Sequence, residues 1–319
     1  MRQTFQQPAC GSAARQTDSR QSLYQEVTDR IVRELEQGCV PWVKSWQESG
    51  CALGLPRSAA TRRSYSGINI LILWDAVIRR GFASQEWLTF RQALSLGGHV
   101  RKGERGTTIC YADRFIPKVE RECAAADGDE ASTVLFLKRF TVFNVEQCTD
   151  LPAHIVLPIH QTPTNSEFAN AYALIAATGA VIREGGGEAY YHRGEDFIRL
   201  PPRSSFISEA DYLCTVYHEL AHWTAANARL NRDLQHRYGS SAYCTEELIA
   251  ELTSAFLCAH FGIIPQVRHA DYLAHWVALL KDDPRAIFHA ASQASKAADF
   301  ILAFQSRGEA AIPTAEAAE

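Results

Sequence analysis

The chain has 319 residues, of which 46% are hydrophobic and 21% are charged, and its formal net charge at pH 7 is −4. This composition is typical of a globular protein, and the length favours two domains. The nine cysteines are odd in number and include no Cys-x-x-Cys pair, which disfavours a disulfide framework and a cysteine zinc knuckle.

The start of the chain and its apolar segments argue against a membrane protein. Residues 1–21 are polar and lack an apolar signal core, which predicts a disordered lead-in. The longest apolar stretch, 67–78, is interrupted by Asn69 and Asp75 and is too short to cross a bilayer. We therefore expect a cytoplasmic protein with buried free thiols and no membrane partner.

Hydrophobic periodicity and turn residues predict an α+β chain. In the first half they predict helices over 22–37 and 68–80, a short helix after the N-cap Thr89, and strands over 107–111 and 134–145. In the second half they predict a helix over 166–177, strands near 180–183, 188–192 and 197–200, a helix capped by Ser208, and helices near 245–261, 271–281 and 283–304. Prolines in the segment 151–163 mark it as a linker between two domains. We expect an α+β domain over 22–150, a mainly helical domain with a small sheet over 164–306, and a mobile tail over 307–319.

The motif His-Glu-x-x-His at 218–222 falls inside a predicted helix. His218 and His222 are four residues apart, so both imidazoles project from one face of that helix. Two neutral imidazoles at this spacing can bind one Zn²⁺, and Glu219 can act as a general base towards water at the metal. The sequence therefore predicts a metal site with two histidine ligands and Glu219 as a catalytic residue.

A glutamate from a later helix is expected to complete this site. Glu247 and Glu251 share one face of the helix near 245–261, where the small Ala250 allows a close approach to the histidine helix. We assign Glu247 to the metal and Glu251 to a hydrogen bond with a ligand histidine, and the reverse assignment is the alternative. Glu246 is expected to be solvated. Two histidines, one glutamate and a water suit an open zinc site, and Mn²⁺ is the alternative ion.

A tyrosine hydroxyl beside the metal could stabilise an oxyanion. Tyr217, Tyr238 and Tyr243 are the candidates, and Tyr243 lies nearest in sequence to the expected third ligand. We therefore predict Tyr243 as a second catalytic residue, with ordinary packing of this side chain as the alternative.

The first half of the chain is the more basic one. Residues 1–150 contain 20 Lys and Arg against 17 Asp and Glu, whereas residues 151–319 contain 12 against 19. The window 57–118 combines cations, which neutralise phosphates, with aromatic rings that stack on unpaired bases and with glycines that allow close backbone approach. A solvated basic face without a ligand is the alternative. The expected surface for single-stranded DNA comprises Arg57, Arg62, Arg63, Tyr65, Trp87, Arg91, His99, Arg101, Lys102 and Arg105.

With both halves interpreted, the chain resembles plasmid-borne antirestriction proteins of the ArdC type over roughly residues 22–305. These proteins share parts with conjugative primase-associated proteins and phage polyvalent proteins. In the first half the resemblance lies in LYQEVT at 23–28, GGHVRKG at 97–103 and the segments 35–38, 41–42, 60–62, 65–69 and 87–92. In the second half it lies in HELAHW at 218–223, the segment 229–232, Tyr243, EELIAE at 246–251 and the last helix.

The resemblance implies a single-stranded DNA-binding domain followed by a zincin-like metallopeptidase domain. It also implies a role in shielding incoming plasmid DNA from host restriction during conjugation. Two alternatives stay open. The chain could be a zinc peptidase that acts on a host protein, with the first half as its recognition module, or the metal could be purely structural.

Overall fold

The structure is a computed structural model that describes residues 14–43, 53–115, 134–156, 165–234, 239–264 and 272–309. The helices in these ranges are α1 (Ala14–Glu36), α2 (Ile68–Arg80), α3 (Phe90–Ser95), α4 (Ala153–Val156), α5 (Asn165–Ala177), α6 (Glu209–Thr224), α7 (Ser241–His260), α8 (Leu273–Asp282) and α9 (Ala286–Glu309). The strands are β1 (Arg57–Ser58), β2 (Glu86–Thr89), β3 (His99–Val100), β4 (Thr107–Phe115), β5 (Val134–Asn144), β6 (Cys148–Thr149), β7 (Val181–Glu184), β8 (Tyr190–His192) and β9 (Phe197–Leu200). The predicted α+β class is confirmed.

The predicted elements are present at close to their predicted positions, but α1 is longer than expected. It begins at Ala14, so residues 14–21 of the expected lead-in belong to this helix. This segment contains no glycine or proline and has two Arg and two Gln, which favour helices, so it can extend a helix that is already nucleated. Residues 1–13 lie outside the described ranges. No helix within those ranges has the length and apolar character needed to span a bilayer.

The first half is built around a four-stranded sheet in the order β1-β2-β5-β4. Strand β5 pairs antiparallel with both β2 and β4, and the β4 ladder runs from Thr107↔Val142 to Phe115↔Val134. Since β2 lies between β1 and β5, its central side chains enter the interior. Thr89 ends β2 and caps α3, because its hydroxyl accepts from the Gln92 N–H at 3.2 Å while the Gln92 side chain accepts from the Thr89 N–H at 2.8 Å.

The first part of the predicted linker packs against this sheet region. Helix α4 lies in it, and Ile155, which is 4% exposed, joins a small apolar cluster with Leu88 and Val145. Residues 157–164 lie outside the described ranges.

The second half combines a three-stranded sheet, ordered β7-β9-β8, with helices α5 to α9. Strand β9 is central, parallel to β7 and antiparallel to β8, which leaves β8 at an edge. Helix α6 begins after Ser208, whose hydroxyl accepts from the Asp211 N–H at 3.1 Å, as the sequence predicts. Helices α6 and α7 pack side by side, and α9 packs along both of them.

One apolar core runs through both halves. The ring of Trp74 on α2 meets the ring of Phe256 on α7 edge to face at 5.7 Å between centroids. Trp42, just after α1, packs against Trp276 of α8 at 6.0 Å. The N–H of Gly67 donates to the hydroxyl of Ser295 on α9 at 2.7 Å. The two regions are therefore joined by buried side chains from several elements.

Candidate metal centre

Small and polar side chains bring α6 and α7 into close contact. Ala221 on α6 and Ala250 on α7 are fully buried, so neither helix presents a bulky side chain there. The hydroxyl of Ser254 donates to the carbonyl of Cys214 at 2.8 Å, which ties the two helices together. The short separation lets side chains on one helix reach those on the other.

His218, His222 and Glu247 converge between these helices. One ligand-type atom from each of them lies within 4.8 Å of the others. The two Nε2 atoms are 3.2 Å apart, His218 Nε2 is 3.5 Å from Glu247 Oε2, and His222 Nε2 is 3.6 Å from Glu247 Oε1. The carboxylate of Glu247 thus faces both imidazoles, whereas Glu251 Oε1 lies 3.8 Å from the other nitrogen of His218, Nδ1.

Glu246 is not solvated, which corrects the expectation from sequence. It is buried, and its Oε1 lies 3.3 Å from Nδ1 of His222. Arg232 donates to both of its carboxylate oxygens, at 2.8 and 3.1 Å. The i, i+4 spacing of Glu247 and Glu251 describes only the face of α7 on which these two residues lie. It does not reveal that Arg232, in the segment between α6 and α7, packs against the neighbouring face and covers Glu246.

The cluster has a strongly negative environment. Burial alone lowers the pKa of His222, but the hydrogen bond that its ring donates to Glu246 and the charges of Glu247, Glu246 and Glu219 raise this pKa to about 9. The pKa of Glu246 is lowered despite its burial, because His222 and Arg232 stabilise the carboxylate. The surroundings therefore favour a positive charge at the His222 imidazole.

A cavity of about 720 Å³ opens onto these residues. Glu219 lines it together with the ligand candidates, and β8 with the preceding residues 187–189 forms another wall. Tyr243 also lines it, and its hydroxyl lies 3.0 Å from the hydroxyl of Tyr272. Burial, the contact with Tyr272 and the charge of Glu247 raise the pKa of Tyr243, so its phenol stays protonated.

The three tyrosines considered from sequence have different surroundings. Two of these three tyrosines, Tyr217 and Tyr243, lie within the described ranges, and of these two only Tyr243 lines the cavity. Tyr217 is fully buried and stacks on Phe261 at 6.3 Å, so it is a packing residue. Tyr238 lies outside the described ranges. Tyr272, a cavity residue, was missed because no motif or spacing marks it.

Trp87, which was predicted for the DNA surface, lies inside the protein, which corrects that expectation, and Tyr65 and Arg57 are partly buried. Trp87 is completely buried, because β2 is an internal strand. Tyr65 packs against the core, and burial raises its pKa to about 12. Arg57 is half-buried and donates to the buried Glu86, and Arg62 donates to the same carboxylate at 3.0 Å.

The remaining predicted residues are exposed. Arg101 is paired with Glu104 at 2.7 Å, and His99 Nε2 lies 3.0 Å from the hydroxyl of Thr149. A side chain at Gly106 would collide with Thr141, so this glycine serves packing. The exposed cations of the predicted set are Arg63, Arg91, Arg101, Lys102 and Arg105, together with Arg62, which binds Glu86, and His99 is exposed as well.

Exposed aromatic rings also occur at positions outside the predicted set of DNA-binding residues. Tyr111 on β4 and Phe140 on β5 are 57% and 44% exposed, and their rings meet edge to face at 6.3 Å. Lys138 is the direct cross-strand partner of Tyr111 and is exposed. Phe90, at the start of α3 and next to Arg91, is 51% exposed.

Two family models match the chain. The one described as the N-terminal domain of anti-restriction factor ArdC matches residues 21–143, and the one described as a zincin-like metallopeptidase matches residues 169–293. Protein y4eC of Sinorhizobium fredii is 36% identical over 89% of this chain and 92% of its own length. A DNA primase TraC of Escherichia coli is 36% identical over 89% of this chain, which spans only 27% of that primase.

Two solved structures resemble the chain over most of its length. The metal-free crystal structure of the antirestriction protein ArdC from plasmid R388 has a TM-score of 0.73 at 37% identity. The Mn(II)-bound structure of the same protein has a TM-score of 0.71 at 36% identity. Each similarity covers 89% of this chain and 98% of the solved one.

Proposed function

Because the chain belongs to the family of ArdC-type antirestriction proteins, we propose that it binds single-stranded DNA and a divalent metal ion and protects incoming plasmid DNA from restriction during conjugation. The observation that carries the proposal is the buried convergence of His218, His222 and Glu247 in a chain whose first half matches the ArdC N-terminal domain. That match also supports DNA as the partner.

The residues present fit a divalent cation. Two imidazole nitrogens and a carboxylate form the donor set of an open His₂Glu site. The negative environment that raises the pKa of His222 favours added positive charge. The Mn(II)-bound structure of R388 ArdC and the zincin-like match support a divalent ion. We propose Zn²⁺, with Mn²⁺ as the alternative, because these ligands suit both.

The residues that line the cavity support hydrolysis of an acyl bond as the chemistry of this site. A bound ion would supply Lewis-acid polarisation and lower the pKa of water. Glu219 lines the cavity and would accept a proton from the attacking water and pass it to the leaving amine. Tyr243 keeps its proton and would donate a hydrogen bond to the developing oxyanion.

The variant Glu219→Gln tests whether this chemistry occurs. An amide cannot accept the proton, so any peptidase turnover should fall about 10²–10⁴-fold while Mn²⁺ binding is retained. Cleavage of an unfolded protein such as casein and calorimetric titration with Mn²⁺ measure the two effects. Glu188→Gln, which changes another glutamate at the cavity, is the matched control. Cleavage that persists in Glu219→Gln would remove Glu219 as the base.

The surface that we propose for single-stranded DNA combines the exposed cations of the first half with Tyr111 and Phe140. The aromatic pair lies on the same ladder as Lys138, and β5 connects it to β2, which leads into α3 with Phe90. Unpaired bases stack on such rings, and the cations neutralise the phosphates between them. A single strand offers both groups, whereas the bases of a duplex are already stacked on each other.

We expect the double variant Tyr111→Ala/Phe140→Ala to weaken binding of a 20-nucleotide oligo-dT by about 1–3 kcal/mol per stacked base. Lys102→Gln should instead reduce the salt dependence, by about 0.7 in the slope of log K against log salt, because one phosphate contact is lost. Fluorescence anisotropy at several salt concentrations measures both effects. Tyr190→Ala, which removes an exposed ring from the second half, is the control. Equal affinity of the wild type for single-stranded and duplex DNA would contradict the proposal.

A zinc peptidase that acts on a host protein is the second candidate function. The cavity beside the motif, with the edge strand β8 in its wall, favours it. Transfer of unmodified plasmid into a restricting host separates the two candidates. If Glu219→Gln binds metal and still protects the plasmid, DNA binding without proteolysis is sufficient, whereas loss of protection supports the peptidase.

A further inference from the structure

Arg232 is a buried cation beside the metal centre that binds one of the carboxylates there. Its Nη2 donates to Glu246 Oε1 at 2.8 Å and its Nε donates to Glu246 Oε2 at 3.1 Å. Both side chains are only 8% exposed. Glu246 Oε1 is also the atom that lies 3.3 Å from His222 Nδ1, so the arginine contacts a candidate ligand through one carboxylate.

The chain after α6 holds this guanidinium in a fixed place. Asn231 has a φ of 51°, in the left-handed region, and the N–H of Arg232 donates to the carbonyl of Ala225 at 2.9 Å. Nη2 also donates to the carbonyl of Ala221 at 2.8 Å, and Nη1 donates to the hydroxyl of Thr224 at 3.0 Å. Arg232 therefore binds the end of α6 and the first turns of α7 at once.

We propose that Arg232 is a positioning residue for the metal centre, which fixes Glu246 against His222 so that Nε2 of this histidine faces the other ligands. The inference rests on the metal site proposed above. An ionised carboxylate can only accept, so Nδ1 of His222 is the donor. When the ring is neutral, as metal binding requires, its Nε2 then carries the lone pair. That Nε2 atom lies 3.2 Å from His218 Nε2 and 3.6 Å from Glu247 Oε1, inside the ligand group.

His222 is held at its Nδ1 side by a fixed carboxylate. His222 has a carboxylate within 3.3 Å of Nδ1, and that carboxylate is itself fixed by two hydrogen bonds from Arg232. On the other histidine, Nδ1 of His218 lies 3.8 Å from Glu251 Oε1. The contacts of His222 therefore define a chain from Arg232 through Glu246 to the imidazole.

Lysine cannot replace this arginine fully. The guanidinium makes four side-chain hydrogen bonds here, two to one carboxylate and two to α6, and its planar fork matches the carboxylate. An ammonium group has three donors and no fork. Arg232→Lys should keep the positive charge but hold Glu246, and through it His222, in a less fixed orientation.

Calorimetric affinity for Mn²⁺ and Zn²⁺ tests the inference without any activity assay. Glu246→Gln and Arg232→Gln are each expected to weaken binding about 10–100-fold, as loss of a group that orients a ligand does elsewhere. Arg232→Lys should fall between Arg232→Gln and the wild type. The double variant Arg232→Gln/Glu246→Gln should bind about as weakly as Glu246→Gln alone, because the arginine acts through this carboxylate.

Arg229→Gln is the matched control. Arg229 lies in the same segment and binds the Trp223 carbonyl and Asp196, but it makes no recorded contact with Glu246. Thermal unfolding of the metal-free variants measures the structural loss, and if Arg232→Gln does not fold, Arg232→Lys carries the comparison. Equal weakening by Arg229→Gln, or additive effects of the two single variants, would overturn the role of Arg232. A wild type that binds no ion would overturn the metal site itself.

Discussion

Replacing His218 with alanine is expected to weaken binding of Mn²⁺ or Zn²⁺ by more than the roughly 10–100-fold that loss of an orienting partner costs. The imidazole supplies one of two nitrogens that lie 3.2 Å apart, and the remaining His222 and Glu247 cannot enclose an ion on three sides. Calorimetric titration of the apo protein, followed by elemental analysis after dialysis, measures the loss. His275→Ala, which removes an exposed histidine from α8, should bind as the wild type does.

The same measurement decides between the two glutamates. Glu247 faces both Nε2 atoms, so Glu247→Gln should weaken metal binding about as much as His218→Ala does. Glu251 lies next to Nδ1 of His218, on the side of the ring away from Nε2, so Glu251→Gln should lower the metal affinity only about 10–100-fold. If Glu251→Gln abolished binding while Glu247→Gln retained it, the assignment of the third ligand would be reversed.

Replacing Trp74 with alanine should destabilise the whole chain by about 3–5 kcal/mol. This side chain is 1% exposed, donates from Nε1 to the Gly54 carbonyl at 2.8 Å and packs on Phe256 of α7. Because the core is continuous, we expect one cooperative transition in urea that shifts equally for signals from both halves. Circular dichroism and site-specific hydrogen exchange of α1 and α6 would measure it.

The control for this variant is Phe90→Ala. Phe90 is also aromatic and lies in the first half, but it is 51% exposed, so its loss should change the stability by no more than about 0.5 kcal/mol. Two separate transitions, with only the first-half signal shifted by Trp74→Ala, would mean that the halves fold independently and that the contact with Phe256 contributes little.

The elements whose patterns are local were predictable from sequence. The periodic apolar residues of α2, the capping box at Thr89 and the N-cap at Ser208 each depend on residues within a few positions of one another. The convergence of His218 and His222 follows from helical spacing for the same reason. Glu247 was a sound candidate because it shares a face with Glu251 and lies near a small residue.

The misassigned residues depend on contacts between distant elements. Glu246 is buried because Arg232 folds back onto α7, which no spacing reveals. Trp87 was taken for a stacking residue from composition, yet its place between β1 and β5 buries it. Tyr111 and Phe140 form an exposed pair only through the register of β4 and β5. Composition counts aromatic residues but does not tell which of them reach the surface.

The shared core also bears on how such genes can be exchanged. A recombination event that cut between the two matched regions would separate Trp74 from Phe256 and Trp42 from Trp276, leaving water-exposed apolar faces on both products. We therefore expect the two matched regions to be inherited together as one unit. The similarity to TraC fits this view, because 89% of this chain aligns within a single stretch amounting to 27% of the primase.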